Sequence, residues 1–208
     1  MNATSEQSLR WVWFIDVVFG AIVALGIQRY EPVVLDAWSQ GFNEFVLTIF
    51  VGVSIFSFVV YDIAVYHALV KKFPFNTSSL SFLRFYLDLV MAFTLYLVLA
   101  NAFQLRPSWV SIIAAISFWH LSASAWHLLA QCECGVFDGM ARTVLPHIYF
   151  IAIYWIVAFF TIQIGERLLR LEDVVLTNLL LIVVSTTVLI ISLFRWNQVI
   201  RKIAVDVA

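Results

Sequence analysis

Residues 9–29 read LRWVWFIDVVFGAIVALGIQR, a continuous apolar run in which the only polar side chains are those of Arg10, Asp16, Gln28 and Arg29. A helix of about 20 apolar residues is long enough to cross the hydrocarbon of a bilayer. The apolar residues do not alternate with polar ones, which favours a helix over a barrel strand. The stretch therefore predicts a transmembrane α-helix.

Similar runs recur along the whole chain. Of its 208 residues, 63% are hydrophobic and 12% are charged, whereas a soluble domain has about 25% charged residues. We expect a single all-α, six-helix transmembrane domain over residues 1–208. The predicted helices are Leu9–Arg29, Phe42–Leu69, Leu80–Phe103, Ser108–Gln131, Val144–Gly165 and Val174–Phe194. The predicted breaks lie at Pro32, Gly41, Pro74, Pro107, Cys134–Gly139 and Glu172, and the tail from Arg195 is expected to continue the last helix.

The basic residues flanking the helices predict an orientation. One side holds Arg10, Lys71, Lys72, Arg84, Arg142, Arg195, Arg201 and Lys202, and the other holds Arg29, Arg106, Arg167 and Arg170. Cytoplasmic flanks of membrane proteins are enriched in lysine and arginine. The sequence thus predicts that the amino and carboxyl termini are both cytoplasmic.

The first helix carries a polar face. Asp16, Gly20, Ala24 and Gln28 recur every four residues and share one side of the helix. One interpretation is a stripe that lines a water-filled path. The other is close helix packing through small residues. Asp16 keeps both open, because a carboxylate inside a membrane requires a partner or water.

Further ionisable residues lie within or beside the predicted helices, namely Asp62, His67, Asp88, His120, His127 and His147. His120 and His127 are seven residues apart and share one helical face, a spacing that two stacked haems could use. No second helix supplies two matching histidines, so hydrogen bonds across helices are the favoured interpretation. Trp119, Trp126 and Trp155 lie deeper in the predicted helices, where they either pack or line a space.

Several functions have no support in the sequence. The net charge of -1 offers nothing to nucleic acid. No serine-hydrolase elbow, zinc-protease helix or phosphate-binding glycine loop is present. Cys132-Glu133-Cys134 lacks neighbouring ligands for zinc and is expected to be a reduced cytoplasmic loop. We expect a protein that is not an enzyme and holds no cofactor.

The segment from Arg10 to Phe19 resembles the first helix of the transmembrane protein 175 family of endolysosomal and bacterial potassium channels. That family opens with Arg-x-x-x-Phe-Ser-Asp, matched here by Arg10, Phe14 and Asp16. His67, followed by Lys71 and Lys72, resembles the family's histidine near a basic helix end. Asp88 lies where the family often has a polar residue. Ile15 departs from the motif, since it replaces the serine.

The resemblance implies a homotetramer in a bacterial inner membrane, with the first helices lining a central potassium pore. It implies that Arg10, Phe14, Asp16, His67 and Asp88 belong to a polar network that holds the pore helix. The family narrows its pore with bulky aliphatic residues at positions that correspond approximately to Ala21, Leu25 and Gln28, with Ala24 on the same face. Of these, only Leu25 is bulky, which would weaken or shift a dewetting constriction.

The leading hypothesis is a passive, potassium-preferring cation channel, with membrane lipids and monovalent cations as its other partners. The first alternative is a proton-coupled transporter or relay in which Asp16, Asp62, His67 and Asp88 titrate. A haem-binding oxidoreductase built on His120 and His127 is a third hypothesis. A non-conducting membrane scaffold with the same fold is the fourth.

Overall fold

A computed structural model describes residues 3–104, 107–135 and 144–207. Within these residues the chain forms six long helices and no strand. They are α1 (Ala3–Gln40), α2 (Phe42–Lys72), α3 (Ser79–Ala102), α4 (Trp109–Cys134), α5 (Leu145–Gln163, followed by a π-helical turn at Ile164–Leu168) and α6 (Asp173–Val207). All six are long and apolar enough to span a membrane, which confirms an integral membrane protein with six candidate spans.

The first helix does not end near Arg29, because it continues through Pro32 to Gln40. Proline removes one backbone donor and strains one turn, but it does not always stop a helix. A helix of 38 residues is about 57 Å long, nearly twice the hydrocarbon thickness. The break comes at Gly41, the one residue between α1 and α2. Its φ of 132° is open mainly to glycine.

Local capping explains three of the other helix ends. The side chains of Ser78 and Ser108 accept hydrogen bonds from the backbone N–H groups of Ser81 and Ser111, which starts α3 and α4. Gly135 ends α4 in the left-handed conformation. Cys132 and Cys134 therefore lie in the last turn of a helix and not in a loop, while residues 136–139 of that predicted break lie outside the described residues. The helix α6 runs to Val207, as expected for the tail.

Four helices form the middle of the bundle and two flank it. The most extensive contact joins α3 to α4, and α2 packs mainly on α6. At one edge α1 contacts α2 and α3, and at the other edge α5 contacts α4 and α6. The apolar core between them includes Ile55, Leu95, Ile113, Ile116 and Val188, all of which are almost fully buried.

An ion pair between Arg84 of α3 and Glu133 of α4 lies inside this bundle. Arg84 Nη1 is 2.5 Å from Glu133 Oε2, and the two side chains are 0% and 2% exposed. The hydroxyls of Ser78 and Ser81 donate to Glu133 Oε1, and Arg84 Nη2 donates to the carbonyl of Phe73. Arg84 was expected to be a flanking charge. It is an internal one, and Arg195 lies among the rings of Tyr61, Trp119 and Phe150. Arg106 and Arg142, which the comparison of basic flanks also counts, lie outside the described residues.

The guanidinium of Arg84 also lies over two aromatic rings. Its Cζ is 4.6 Å from the centre of the Phe75 ring and 4.4 Å from that of Trp126. Cation–π contacts of this kind stabilise a desolvated cation. The pair thus joins the start of α3, the end of α4 and the connector after α2.

We predict that Glu133→Ala destabilises the folded protein by about 3–5 kcal/mol, because it leaves the Arg84 charge buried without its partner. Thermal unfolding of the purified protein in detergent would measure the loss. Glu172→Ala is the matched control, since it removes an exposed carboxylate between α5 and α6. Equal unfolding temperatures for the two variants would contradict a stabilising role for the pair.

Candidate functional site

The polar face of α1 points away from the bundle. Gly20, Ala21, Ala24, Leu25 and Gln28, here called the α1 stripe, are exposed on the surface of the single chain. The opposite side of the helix packs inward through Ile15, Phe19 and Ile22, which are 0%, 3% and 7% exposed. The small residues of the stripe therefore do not serve packing within this chain. They are available to water, lipid or another copy.

Just beyond the stripe, α1 is anchored to α2 and α3. Arg29 Nη2 donates to the hydroxyl of Tyr96 on α3 at 2.9 Å, and the Tyr30 hydroxyl donates to the carbonyl of Thr48 on α2 at 3.0 Å. Tyr30 crosses α2 at Gly52, where a Cβ would overlap its hydroxyl. This close approach requires glycine at position 52, and it fixes α1 beyond the stripe.

Just before the stripe, α1 contacts α2 through two residues of the predicted polar network, Asp16 and His67. Asp16 Oδ1 is 3.2 Å from Nε2 of His67 on α2. The two side chains are 39% and 47% exposed on the single chain, in the order Asp16 and His67. The structure thus brings these two predicted residues together, at the edge of the exposed surface of α1.

Asp88 lies behind this pair and is fully buried on α3. Its Oδ2 accepts a hydrogen bond from the Tyr66 hydroxyl at 3.4 Å, and Tyr66 is the neighbour of His67 on α2. The Asp16–His67 and Tyr66–Asp88 contacts, here called the polar line, are adjacent pairs across α1, α2 and α3, with the rings of Tyr66 and His67 5.8 Å apart between them. Sequence reasoning did not include Tyr66, because a tyrosine in an apolar run resembles an ordinary core residue.

The other three motif positions have different surroundings. Phe14 is 45% exposed and packs on Phe85 of α3 with ring centres 5.9 Å apart. Arg10 is exposed on the first part of α1. Ile15, which stands at the serine position of the family motif, is part of the buried apolar core. The motif thus contributes packing as well as polar contacts.

Gln28 is the most polar member of the α1 stripe. Its amide side chain is exposed, and Pro32 lies four residues further along the same helix. Proline has no N–H, so the carbonyl of Gln28 lacks the donor that an ordinary residue 32 would supply. The side-chain amide and the backbone carbonyl of Gln28 therefore both need hydrogen-bond partners from outside α1.

The first histidine of α4 has a histidine partner on α5. His120 Nδ1 is 3.0 Å from Nδ1 of His147 on α5, so these buried side chains hydrogen-bond to each other across two helices. The Ser122 and Ser124 hydroxyls donate to carbonyls of their own helix, and Ser117 accepts from Trp155. Within residues 3–104, 107–135 and 144–207, no group of three potential metal ligands is present.

Comparison with protein-family models, with curated proteins and with solved structures gives no match to this chain. The resemblance carried by Arg10, Phe14 and Asp16 therefore stays a sequence-based prediction. The chain is an all-helical membrane protein with six candidate spans and an outward-facing stripe of small and polar residues on its first helix.

Proposed function

We propose that this chain is one subunit of a homotetrameric, passively conducting cation channel whose pore is lined by α1. The observation that carries the proposal is the outward-facing α1 stripe, which places small and polar residues on the surface of a membrane-spanning helix. Polar residues within a span usually face protein or water and not lipid tails.

Exposure of the α1 stripe to lipid tails would be energetically unfavourable. A charged side chain at the centre of a bilayer costs about 2.5–3.5 kcal/mol on insertion scales. The Asp16–His67 pair is partly exposed at one end of the face, and the Gln28 amide and freed carbonyl lie about 18 Å further along α1. A water-filled pore between copies would hydrate both ends.

Gly20, Ala21 and Ala24 support the same arrangement. Small residues allow helices of neighbouring copies to approach closely, which supports association of the copies through α1. Leu25, at 45% exposure, is the bulkiest member of the stripe and is our candidate for the narrowest, dewetting point.

Two acidic side chains on α1 support a preference for cations over anions, and the exposed Arg10 and Arg29 of the same helix oppose it. Asp16 lies at one end of the exposed face, and Glu31, also exposed, lies one turn beyond Gln28 at the other. Rings of acidic side chains raise the local concentration of cations at a pore mouth. The preference for potassium rests on the family resemblance alone.

A proton-coupled transporter is the second candidate. It is favoured by the polar line from Asp16 and His67 to Tyr66 and Asp88, which places two carboxylates and an imidazole across three adjacent helices. Proton relays in membrane proteins are built from such chains of ionisable side chains.

We predict that Ala24→Trp reduces potassium flux to the level of protein-free vesicles, because an indole from each copy would fill the space beside the stripe. Liposomes containing the purified protein and a potassium gradient would measure the flux. Ile156→Trp is the matched control, since it adds the same ring to the exposed side of α5, at the opposite edge of the bundle.

Three results would contradict the pore assignment. Equal block by Ala24→Trp and Ile156→Trp would show that the effect does not depend on α1. Full flux in Ala24→Trp would exclude α1 as the pore lining. Absence of potassium and sodium flux from intact wild-type assemblies would exclude the channel, and a proton flux seen with a pH-sensitive dye would then favour the relay.

We predict that Asp16→Asn lowers potassium conductance more than threefold at low ionic strength, because it removes a carboxylate from each of four copies and one charge about 7 Å from the ion path already gives a factor of about three in water. The loss shrinks at high salt because mobile ions screen the carboxylate. Single-channel recording at two salt concentrations would measure both values, with Asp173→Asn, an exposed residue at the start of α6, as the control. A loss that is independent of salt would mean that Asp16 acts only through the position of α1.

We predict an assembly of four chains. Native mass spectrometry of the protein released from detergent micelles would count the copies directly. A monomer under conditions that support flux, or any other copy number, would contradict the tetramer.

A further inference from the structure

Gln28 and Pro32 lie one helical turn apart on the exposed side of α1. An ordinary residue 32 would donate its backbone N–H to the carbonyl of Gln28, and proline has no N–H to donate. The proline ring also clashes with the carbonyl four residues before it, which bends that carbonyl away from the ring. The backbone oxygen of Gln28 is therefore open to a ligand from outside the helix.

The open carbonyl shares its side of α1 with the proposed pore. Ala21, Leu25, Gln28 and Pro32 are spaced by four, three and four residues, so they lie within about 60° of one another around the helix. All four are exposed on the single chain. Each copy thus presents two neutral oxygens of Gln28, the backbone carbonyl and the side-chain Oε1, on the surface that would face the ion path.

The helix is fixed in position on both sides of Gln28. Gly26 is buried against Leu99 of α3, so closely that a Cβ at position 26 would lie 2.9 Å from Leu99 Cδ1. Arg29 Nη2 donates to the Tyr96 hydroxyl, also on α3, which directs the Arg29 guanidinium toward that helix. Ligands on a helix anchored in this way keep their spacing better than ligands on a loop.

Neutral amide oxygens are suitable ligands for alkali cations. Rings of backbone carbonyls replace the hydration shell of potassium in channels, and carbonyls released from broken helices coordinate sodium in transporters. Neutral oxygens attract a cation less strongly than carboxylates do. A ring of them therefore favours cations that lose water easily, such as potassium and rubidium, over sodium and lithium.

Leu25 places a water-repelling layer next to these oxygens. It precedes Gln28 by three residues, a rise of about 4.5 Å along the helix, and its side chain is 45% exposed. A cation that passes a ring of leucines gives up part of its hydration, because such a constriction dewets. The oxygens of Gln28 lie at the adjacent level and are available to replace the lost water.

We propose that the backbone carbonyls and Oε1 atoms of Gln28 from the assembled copies form a coordination site for a partly dehydrated monovalent cation, next to the Leu25 constriction. The inference rests on the proposed channel, since one chain supplies only two of the oxygens. Pro32 is a positioning residue, because it keeps the carbonyl of Gln28 out of the helical hydrogen-bond ladder.

The first test restores the missing donor. Reversal potentials of the purified protein in planar bilayers, with a different cation on each side, would give the permeabilities of rubidium, potassium, sodium and lithium. We expect Pro32→Ala to lower the potassium-to-sodium permeability ratio about tenfold, the factor that one contact of the strength of a charged hydrogen bond provides. Folding is expected to persist, because alanine favours a helix more than proline does.

Pro146→Ala is the matched control. Pro146 lies in the first turn of α5, where a new N–H has no helical carbonyl to pair with, so the permeability ratio should stay at the wild-type value. A second variant, Gln28→Leu, removes Oε1 at nearly constant size and leaves Pro32 in place. It should lower the same ratio while native mass spectrometry finds the wild-type number of copies.

The outcomes separate this site from the channel itself. A conducting wild type with an unchanged ratio in both variants would overturn the site and leave the channel intact. A lower ratio in Pro32→Ala, with the wild-type ratio in an assembled Gln28→Leu, would also overturn it, because the bend of α1 and not the oxygens would then set the preference. A lower ratio in Gln28→Leu alone would overturn the role of the carbonyl. Absence of potassium and sodium flux in the wild type would overturn the channel and this inference together.

Discussion

Hydrocarbon offers no hydrogen bonds, and every polar group that enters a span must find a partner inside the protein or reach water. The Arg84–Glu133 pair meets most of this constraint, and only Nε of Arg84 lacks a hydrogen-bond partner among the atoms of this pair. Two serine hydroxyls and the carbonyl of Phe73 surround the charges, and two aromatic rings cover the guanidinium. The connection of α3 to α4, the most extensive contact of the bundle, is built around these groups. A partner lost here would leave a charge that the membrane cannot solvate.

The same constraint applies to the outer face of α1. Gln28 faces outward there, and the partly exposed Asp16–His67 pair lies about 18 Å away along the helix. This surface is suited to water and to further copies of the chain, and the proposed channel rests on it.

Sequence reasoning is closest to the structure at Asp16. The family resemblance implies that Asp16 and His67 belong to one polar network, and the structure places Asp16 Oδ1 3.2 Å from His67 Nε2. A carboxylate within a span requires such a partner or water. The reasoning was wrong at Pro32, where the helix continues, and at Arg84, which is internal and not a flanking charge. At both positions the local sequence is compatible with two structures. Proline bends or ends a helix, and arginine near a span end reaches outward or finds a buried partner.

By itself, the sequence determined that the chain spans a membrane as six helices, because apolar runs of sufficient length have no other way to satisfy their backbone groups. It also determined which residues share a face of α1, since the period of a helix is fixed. Only the tertiary structure decided which way that face points and which distant charges meet. Arg84 and Glu133 are 49 residues apart, and His120 and His147 are 27 apart. Such pairings follow from how helices pack, and the helical period of a single segment contains no information about its neighbours.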